Sequence, residues 1–428
     1  MYKPLDSKPN FPELEKEIQA FWEQDKTFQK SIANREGAET FVFFEGPPTA
    51  NAAPALHHIP SRAFKDAMGR FQTMRGKKVL RKAGWDTHGL PVELQIEKKL
   101  GISGKKQIEN IVPGDRFASI AEFNKQSKES VWQFKEEWEK LTGRMAYWVD
   151  LSDPYVTYDS KYIESVWWIL AQLWQKNLVY QGHKVIPYCP RCGTALSSHE
   201  VAQGYAEVKD TSVFVKFKLK DQSDTYILSW TTTPWTLPGN VALALGEDIE
   251  YAKVKVGAEN WILAKERLST LQESFEEIET LKGSDLVGLS YEPIFPGAIP
   301  DDKLNEAAFK VYAADFVTTG DGTGVVHTAV MYGEDDYELG NIVGLPKYHT
   351  VDETGRFLES VPVVGGMVVK HKDKPTENET TTKILDYLKE NNLLVRFEEH
   401  SHTYPFCWRC GTPLLYYARQ SWYIKMSE

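Results

Sequence analysis

Four cysteines constrain this chain more than any other feature. They fall in two pairs, Cys189/Cys192 and Cys407/Cys410, each spaced Cys-x-x-Cys, and none is left over. The flanks repeat as well, Cys189-Pro190-Arg191-Cys192-Gly193-Thr194 against Cys407-Trp408-Arg409-Cys410-Gly411-Thr412. That pattern reads as one structural zinc ion gripped by four thiolates from two sides, rather than as disulfides. Two redox dithiols would use the same spacing. If one ion joins both knuckles, the chain leaves the first and returns to it. Everything between them is then a domain inserted into another fold.

The segments on either side of the knuckle differ in kind. Before it, strand-like and helix-like stretches alternate, which predicts an α/β fold with a parallel sheet. Thr40–Glu45 and Lys78-Val79-Leu80 read as strands, and Arg81–Pro91 as a loop. Val92–Leu100 reads as a helix stopped by Gly101. Val131, Phe134, Trp138 and Leu141 mark one face of a long helical region, and a tryptophan-rich helix is expected over about Tyr162–Leu178. After the knuckle the pattern turns β-rich. Val213, Val215, Phe217 and Leu219 alternate, and Tyr226–Leu228, Tyr251–Val256, Phe309–Ala313 and Gly324–His327 are strand-like. The expected layout is a helical lead-in over 1–39, half of an α/β domain over 40–188, and a first knuckle and linker over 189–204. The β-rich insertion spans 205–398, and the second knuckle with the return to the α/β fold spans 399–428. Tyr416–Glu428 reads as a helix or strand return without a natural terminus, which suggests a piece of a longer chain.

Composition narrows the class. At 428 residues the chain is too long for one core, and no apolar run reaches membrane-spanning length. Met1–Asp6 lacks an apolar signal core, so a cytoplasmic location is the default. The net charge of −10 carries no global basic field. A local track is still open to it through Arg70, Arg75, Lys77, Lys78, Arg81 and Lys82, although a solvated helix face explains those residues equally well.

A second stretch carries chemistry. Thr40–Glu45 is followed by the turn Gly46-Pro47-Pro48-Thr49-Ala50-Asn51-Ala52-Ala53-Pro54, then by Ala55-Leu56-His57-His58. A helix with Phe64, Met68, Phe71 and Met74 on one face should begin near Ile59, where Pro60 is tolerated in the first turn. Strand, tight turn and helix start is the geometry that presents backbone N–H groups to a phosphate. Ligands of such sheets sit beyond the carboxyl ends of the strands. His57 and His58 could add donors there, or could be ordinary packing residues.

Together with Glu45-Gly46-Pro47-Pro48-Thr49-Ala50-Asn51, the segment Lys82-Ala83-Gly84-Trp85-Asp86-Thr87-His88-Gly89-Leu90-Pro91-Val92-Glu93 resembles the class I aminoacyl-tRNA synthetases, and in particular their isoleucine-specific branch. Trp230-Thr231-Thr232-Thr233-Pro234-Trp235-Thr236-Leu237-Pro238-Gly239-Asn240 resembles that branch's threonine-rich editing peptide. Gly322-Thr323-Gly324-Val325-Val326-His327, with Glu334-Asp335-Asp336, is similar to the opposite wall of the editing pocket. The likeness extends over essentially the whole chain. It implies an incomplete Rossmann-like catalytic domain interrupted by an inserted editing domain, with the zinc knuckles at the junction. The implied activity is formation of isoleucyl-adenylate from isoleucine and ATP with Mg2+, transfer to tRNA(Ile), and hydrolysis of Val-tRNA(Ile), in a monomer. The lysine-rich ATP loop and the anticodon-binding helices of the family are missing; Lys425-Met426-Ser427 resembles the start of that loop but stands far too early in the chain.

The resemblance also assigns residues. His57, His58 and Asp86 become catalytic, with Asp86 holding the substrate ammonium; without the family, Asp86 could equally be a turn carboxylate. Glu45, Gly46, Pro47, Asn51, Ala55 and Trp85 become substrate-binding. Thr231, Thr232, Thr233, Trp235, Thr236, Asn240, His327 and Asp336 form the editing set, with His327 limiting side-chain size and Asp336 holding the ammonium. Read alone, the threonines are strand formers and His327 a core histidine. A second pocket has a clear purpose, since one methylene separates isoleucine from valine, and the isoleucine enzymes are the standard instance of that difficulty.

One departure stands at the centre. The family's His-x-Gly-His is here Ala55-Leu56-His57-His58, and its Asn-Gly is Asn51-Ala52. A glycine lets the adenine lie on bare backbone; His57 puts a ring there, and Ala55 opens space beside it. His57 is expected to turn into that space and supply the missing donor. The alternative is a non-catalytic RNA-binding or regulatory paralogue whose ATP site has decayed.

Overall fold

The computed structural model describes residues 8–43, 45–370 and 379–427. The chain divides into two compact units, Met1–Asn177 and Leu178–Glu428.

The first unit holds the helices α1 (Phe11–Asp25), α2 (Thr27–Ala33) and α3 (His58–Met74), then strand β1 (Lys82–Trp85). Helices α4 (Leu90–Leu100), α5 (Lys105–Ile108), α6 (Arg116–Ser130) and α7 (Lys135–Arg144) follow, then β2 (Asp150–Val156) and α8 (Ser160–Gln175). β1 and β2 run parallel, with Gly84 beside Tyr155 and Trp85 beside Val156. Gly84 is obligatory there, because a Cβ would lie 2.3 Å from the Tyr155 ring. α4 stops at Gly101, whose φ of 68° few other residues adopt.

Four expectations need correction here. Lys78-Val79-Leu80 is not a strand and holds only a single bridge, at Lys78. Thr40–Glu45 is not a strand among its described residues (Phe44 lies outside them). It makes a single parallel bridge, Thr40 to Lys78, because the Glu45 carbonyl accepts a hydrogen bond from the Tyr155 hydroxyl at 2.8 Å instead of joining a ladder. The strand lies later, at Lys82–Trp85, inside the segment read as a loop. The apolar stripe of α3 is also turned outward. Phe64 and Met74 are 77% and 76% exposed, and the helix packs through Arg62, Gly69 and Thr73. The Arg81 guanidinium lies over Gly69, 2.8 Å from where a Cβ would stand, so the close approach is set by a cation and a glycine rather than by the stripe.

The second unit opens with β3 (Val179–Cys189), β4 (Thr194–Ala195), α9 (Ser198–Val201), β5 (Tyr205–Lys218) and β6 (Thr225–Thr231). It continues through β7 (Ala242–Leu245), β8 (Glu250–Val256), β9 (Glu259–Ala264), β10 (Glu276–Lys282), α10 (Gly283–Leu286), β11 (Lys310–Ala313) and β12 (Val325–Thr328). It closes with α11 (Glu334–Val343), α12 (Glu379–Glu390), β13 (Leu394–Pro405) and β14 (Leu415–Ile424). Three sheets result, in the orders β10-β8-β9-β6-β5-β13, β11-β7-β12 and β14-β3-β4. The sequence's last stretch is therefore a strand return.

The core is formed largely between these strands, by Phe217, Ile227, Leu243, Leu245, Tyr251, Tyr291 and Phe357, each at most 2% exposed. The alternation on β5 suggested one polar face, yet residues 213–217 are buried on both faces. Lys216 is tolerated at 3% exposure because Glu259 meets its ammonium at 2.7 Å.

Candidate functional site

Two antiparallel pairings bring the knuckles together. β5 runs beside β13 from Tyr205/Pro405 inward, and β3 runs beside β14 from Tyr188/Leu415 outward. The cysteines sit where the two ladders meet. Gly204 must lack a side chain, since a Cβ would stand 1.9 Å from the Phe406 carbonyl oxygen. Gly193 and Gly411, the residues after each pair, take φ values of 66° and 70°, which explains why both knuckles repeat the glycine. All four sulfurs lie within 4.8 Å of one another. A tetrahedral zinc ion about 2.3 Å from each would set them about 3.8 Å apart. Cys189 and Cys407 are fully buried, and Leu196, Val201 and Leu414 pack around the cluster. The donor set fits the ion.

The turn after Glu45 is held by residues distant in sequence. One Glu45 carboxylate oxygen accepts from Lys65 Nζ at 2.8 Å, and the other accepts from the Tyr147 hydroxyl in a short hydrogen bond. Burial, and then the Glu45 carboxylate it serves, push the Tyr147 phenol far above its usual range. Lys65 also reaches the Gly46 carbonyl at 3.1 Å. Further on, the Asp86 N–H donates to the Pro48 carbonyl at 2.9 Å, and the Asp86 carboxylate faces the Thr49 hydroxyl at 3.4 Å. Asp86 thus follows directly on the carboxyl end of β1, against the turn. Trp85 is buried before it, and Pro47 is half-buried within the turn. Asn51 is tied to α4, donating to the Pro91 carbonyl and accepting from Gln95 at 2.8 Å. The latch at the strand ends is Thr87 Oγ1 against Thr157 Oγ1, 2.9 Å apart.

The altered signature opens α3. His58 is its first residue and Pro60 lies in its first turn. His58 Nδ1 lies 2.9 Å from the Ala55 nitrogen and 3.2 Å from the Ala55 carbonyl oxygen, so it finds a partner in either tautomer. Burial lowers the His58 pKa. Its ring meets Trp138 edge-on, and Trp138 Nε1 donates to the Ala52 carbonyl at 2.9 Å. His57 is exposed and lies on the His58 ring, and Ala55 is exposed beside it. The basic run is largely committed to ion pairs: Arg70 and Arg81 with Asp66, Lys77 with Glu39, Lys78 with Glu36, and Lys82 with Asp153.

In the second unit the threonine-rich peptide leaves β6 into a 3₁₀ turn, Pro234–Gly239. Its hydroxyls form a chain: Thr231 to Thr233 at 3.2 Å, Thr233 to Thr236 at 3.5 Å, and Thr236 to His327 Nε2 at 2.9 Å. Thr232 is half-buried beside them. Burial holds His327 down at about 4, so it is neutral near pH 7. Asp336 accepts the Ala329 N–H at 2.9 Å, two residues beyond His327, and burial raises it to about 6. Trp235 is buried against Tyr332. Asn240 is fully engaged inside the protein, donating to the Ala242 carbonyl and accepting from Tyr291. Gly322 and Gly324 have φ of 67° and 73°; side chains there would strike Trp230 and Ala264.

Sequence reasoning missed Lys65, Arg62, Tyr147, Tyr155 and Thr157. No local pattern marks them, because their partners lie 20 to 110 residues away. Trp138 was visible as an apolar face residue, but not as the support of His58.

The chain matches, over residues 17–428, the family described as tRNA synthetases class I (I, L, M and V). It is 50% identical over 429 residues to an isoleucine–tRNA ligase of Clostridium tetani and 49% identical over 424 residues to isoleucine–tRNA ligase 2 of Bacillus anthracis. These alignments cover 100% and 99% of this chain but 40% and 39% of the relatives, so the chain spans about two fifths of their length. Among solved structures, a ternary complex of Agrobacterium radiobacter LeuRS with tRNA and LeuAMS aligns over 93% of this chain and 48% of its own, at 14% identity and a TM-score of 0.32. The sequence motifs and the family match agree: the chain belongs to the class I tRNA synthetases of the isoleucine, leucine, methionine and valine group.

Proposed function

We propose that this chain is part of an isoleucine–tRNA ligase. The whole protein converts isoleucine and ATP to isoleucyl-adenylate and pyrophosphate, transfers the isoleucyl group to tRNA(Ile) with release of AMP, and hydrolyses Val-tRNA(Ile). The observation that carries the isoleucine assignment is half-identity along the entire chain to enzymes of that name; the family match alone fits leucine, methionine or valine as well.

In this reading Asp86 holds the substrate ammonium as a charge-assisted pair. Pro47 and Trp85 bound the side-chain pocket. Gly46, Asn51 and Ala55 shape the nucleotide side, while Glu45, its oxygens already engaged, fixes the turn. His58 offers its Nε2, and His57 supplies a donor from the surface. Mg2+ arrives with ATP, held chiefly by phosphate and water. One zinc ion occupies the four cysteines and joins the ladders. In the inserted domain Thr231, Thr232, Thr233 and Thr236 take a small side chain and the terminal ribose, and Trp235 and Asn240 buttress the peptide. His327 limits size, and Asp336 holds the ammonium. The protein acts as a cytoplasmic monomer; among the described residues no helix is long and apolar enough to cross a membrane.

The test is isoleucine-dependent ATP–pyrophosphate exchange by the full-length protein, with valyl-tRNA hydrolysis measured beside it and Asp336→Ala as control. Ala55-Leu56-His57-His58 favours one rival, a paralogue that binds RNA without chemistry. That rival predicts neither exchange nor hydrolysis.

A further inference from the structure

Pro47 and Pro48 stand side by side in the turn after Glu45. Neither has a backbone N–H, so hydrogen bonds hold this stretch through its carbonyls. Three of them are taken. The Glu45 carbonyl accepts from the Tyr155 hydroxyl at 2.8 Å, the Gly46 carbonyl from Lys65 Nζ at 3.1 Å, and the Pro48 carbonyl from the Asp86 N–H at 2.9 Å. The bond to Gly46 is the one that bears on Pro47. That carbonyl belongs to the peptide group containing the Pro47 nitrogen, and a peptide group is planar. Proline also locks its own φ. Fixing the Gly46 oxygen therefore fixes the plane in which the Pro47 ring begins and, through it, where the ring lies.

The donor is a flexible side chain, and it is held in turn. Lys65 lies on α3, with Nζ 2.8 Å from one Glu45 carboxylate oxygen. The Glu45 side chain is 6% exposed, against 27% for Lys65. Its second oxygen accepts from the Tyr147 hydroxyl. A buried carboxylate engaged on both oxygens is a stiff anchor for the ammonium, which has three hydrogens and spends one on Glu45 and one on Gly46. Trp85, the other residue assigned to the side-chain pocket, is fixed separately, 2% exposed at the end of β1.

We propose that Lys65 is a positioning residue that sets the Pro47 wall of the amino-acid pocket and so contributes to the preference for isoleucine over valine. This rests on the reading of Pro47 and Trp85 as bounds of that pocket. One methylene in an apolar pocket is worth about 10–200-fold, and the gain requires a wall that meets the larger side chain closely. A wall free to shift loses its contacts with the methylene that valine lacks, so isoleucine suffers more than valine. Lys65 acts through Gly46 and Pro47 and touches no substrate.

The test is ATP–pyrophosphate exchange by the full-length protein with isoleucine and with valine, without tRNA, so that hydrolysis of valyl-tRNA does not enter the comparison. Lys65→Met keeps the stem and removes the donors. It should lower the ratio of kcat/KM for isoleucine to that for valine by about fivefold or more, chiefly through the KM for isoleucine. Lys65→Arg restores a charged donor and should bring the ratio back to within about twofold of the natural value. A role confined to stability lowers both rates together and leaves their ratio alone. An unchanged ratio in an active Lys65→Met therefore overturns the proposal while the functional reading stands. Where Lys65→Met is not recovered folded, Glu45→Gln decides. It keeps Lys65 but weakens its anchor, so the ratio should fall in the same sense, and an unchanged ratio overturns the proposal there too. Absence of isoleucine-dependent exchange in the natural protein overturns the functional reading and the proposal together.

Discussion

The imidazoles of His57 and His58 lie against each other, with centroids 3.9 Å apart and planes tilted by 43°. His58 is fixed from below by Trp138 at 4.7 Å and by the Ala55 N–H, whereas His57 has solvent on its outer side. The first ring therefore has room to turn, and the second does not.

From that asymmetry follows the effect of changing the signature. In the full-length protein, His57→Ala should slow ATP–pyrophosphate exchange by about 100-fold, equivalent to about 2.7 kcal/mol of barrier. Restoring the family pattern with Ala55→His and His57→Gly together should change it by less than about threefold. If the double variant is instead some two orders of magnitude faster than the natural sequence, His57 has not taken over the missing role.

Tyr147 supports Glu45 from 102 residues away. In Tyr147→Phe the buried carboxylate loses one of its two partners, and Lys65 alone remains on it. A cost of about 1–3 kcal/mol is expected. It would be read as a lower urea midpoint at unchanged slope, with adenylation falling in step.

Asp336 and His327 bend the pH dependence of stability in opposite senses. Asp336 sits at about 6 against an ordinary 3.8, so between those values the folded chain holds a proton the unfolded chain has released, and stability falls as pH rises. His327 sits at about 4 against 6.5; the unfolded chain protonates first on acidification, so its contribution is complete above 6.5 and is lost as pH falls toward 4. Over about pH 4 to 6 the slopes oppose. Asp336→Asn should leave stability rising with pH across that window, and His327→Gln should leave it falling. At pH 7, Asp336→Asn should be more stable than the natural protein by about 1–2 kcal/mol, allowing for partial exposure, while losing valyl-tRNA hydrolysis. Thermal melts at half-unit pH steps check both.

The knuckles should carry one zinc per chain by elemental analysis. Cys407→Ser, which removes a fully buried ligand, should release most of it and lower the unfolding midpoint. Retention of stoichiometric zinc by that variant would contradict a four-thiolate site.

Much of the fold could be read from local patterns. Paired Cys-x-x-Cys-Gly-Thr knuckles required the chain to return, period-two runs marked strands of the second unit, and Gly101 ended α4 where its conformation demanded. Spacing and turn chemistry encode such features because they depend on neighbours a few residues away. Tertiary packing decided the rest. The opening run stayed a bridge because a tyrosine hydroxyl claimed its carbonyl. The stripe on α3 faced outward because a guanidinium and a glycine set the contact. The threonine-rich peptide became part of a hydrogen-bond chain only when β12 brought His327 to Thr236, 91 residues away. A carboxylate's partners are settled by which groups burial leaves within reach, and no local run of residues contains that information.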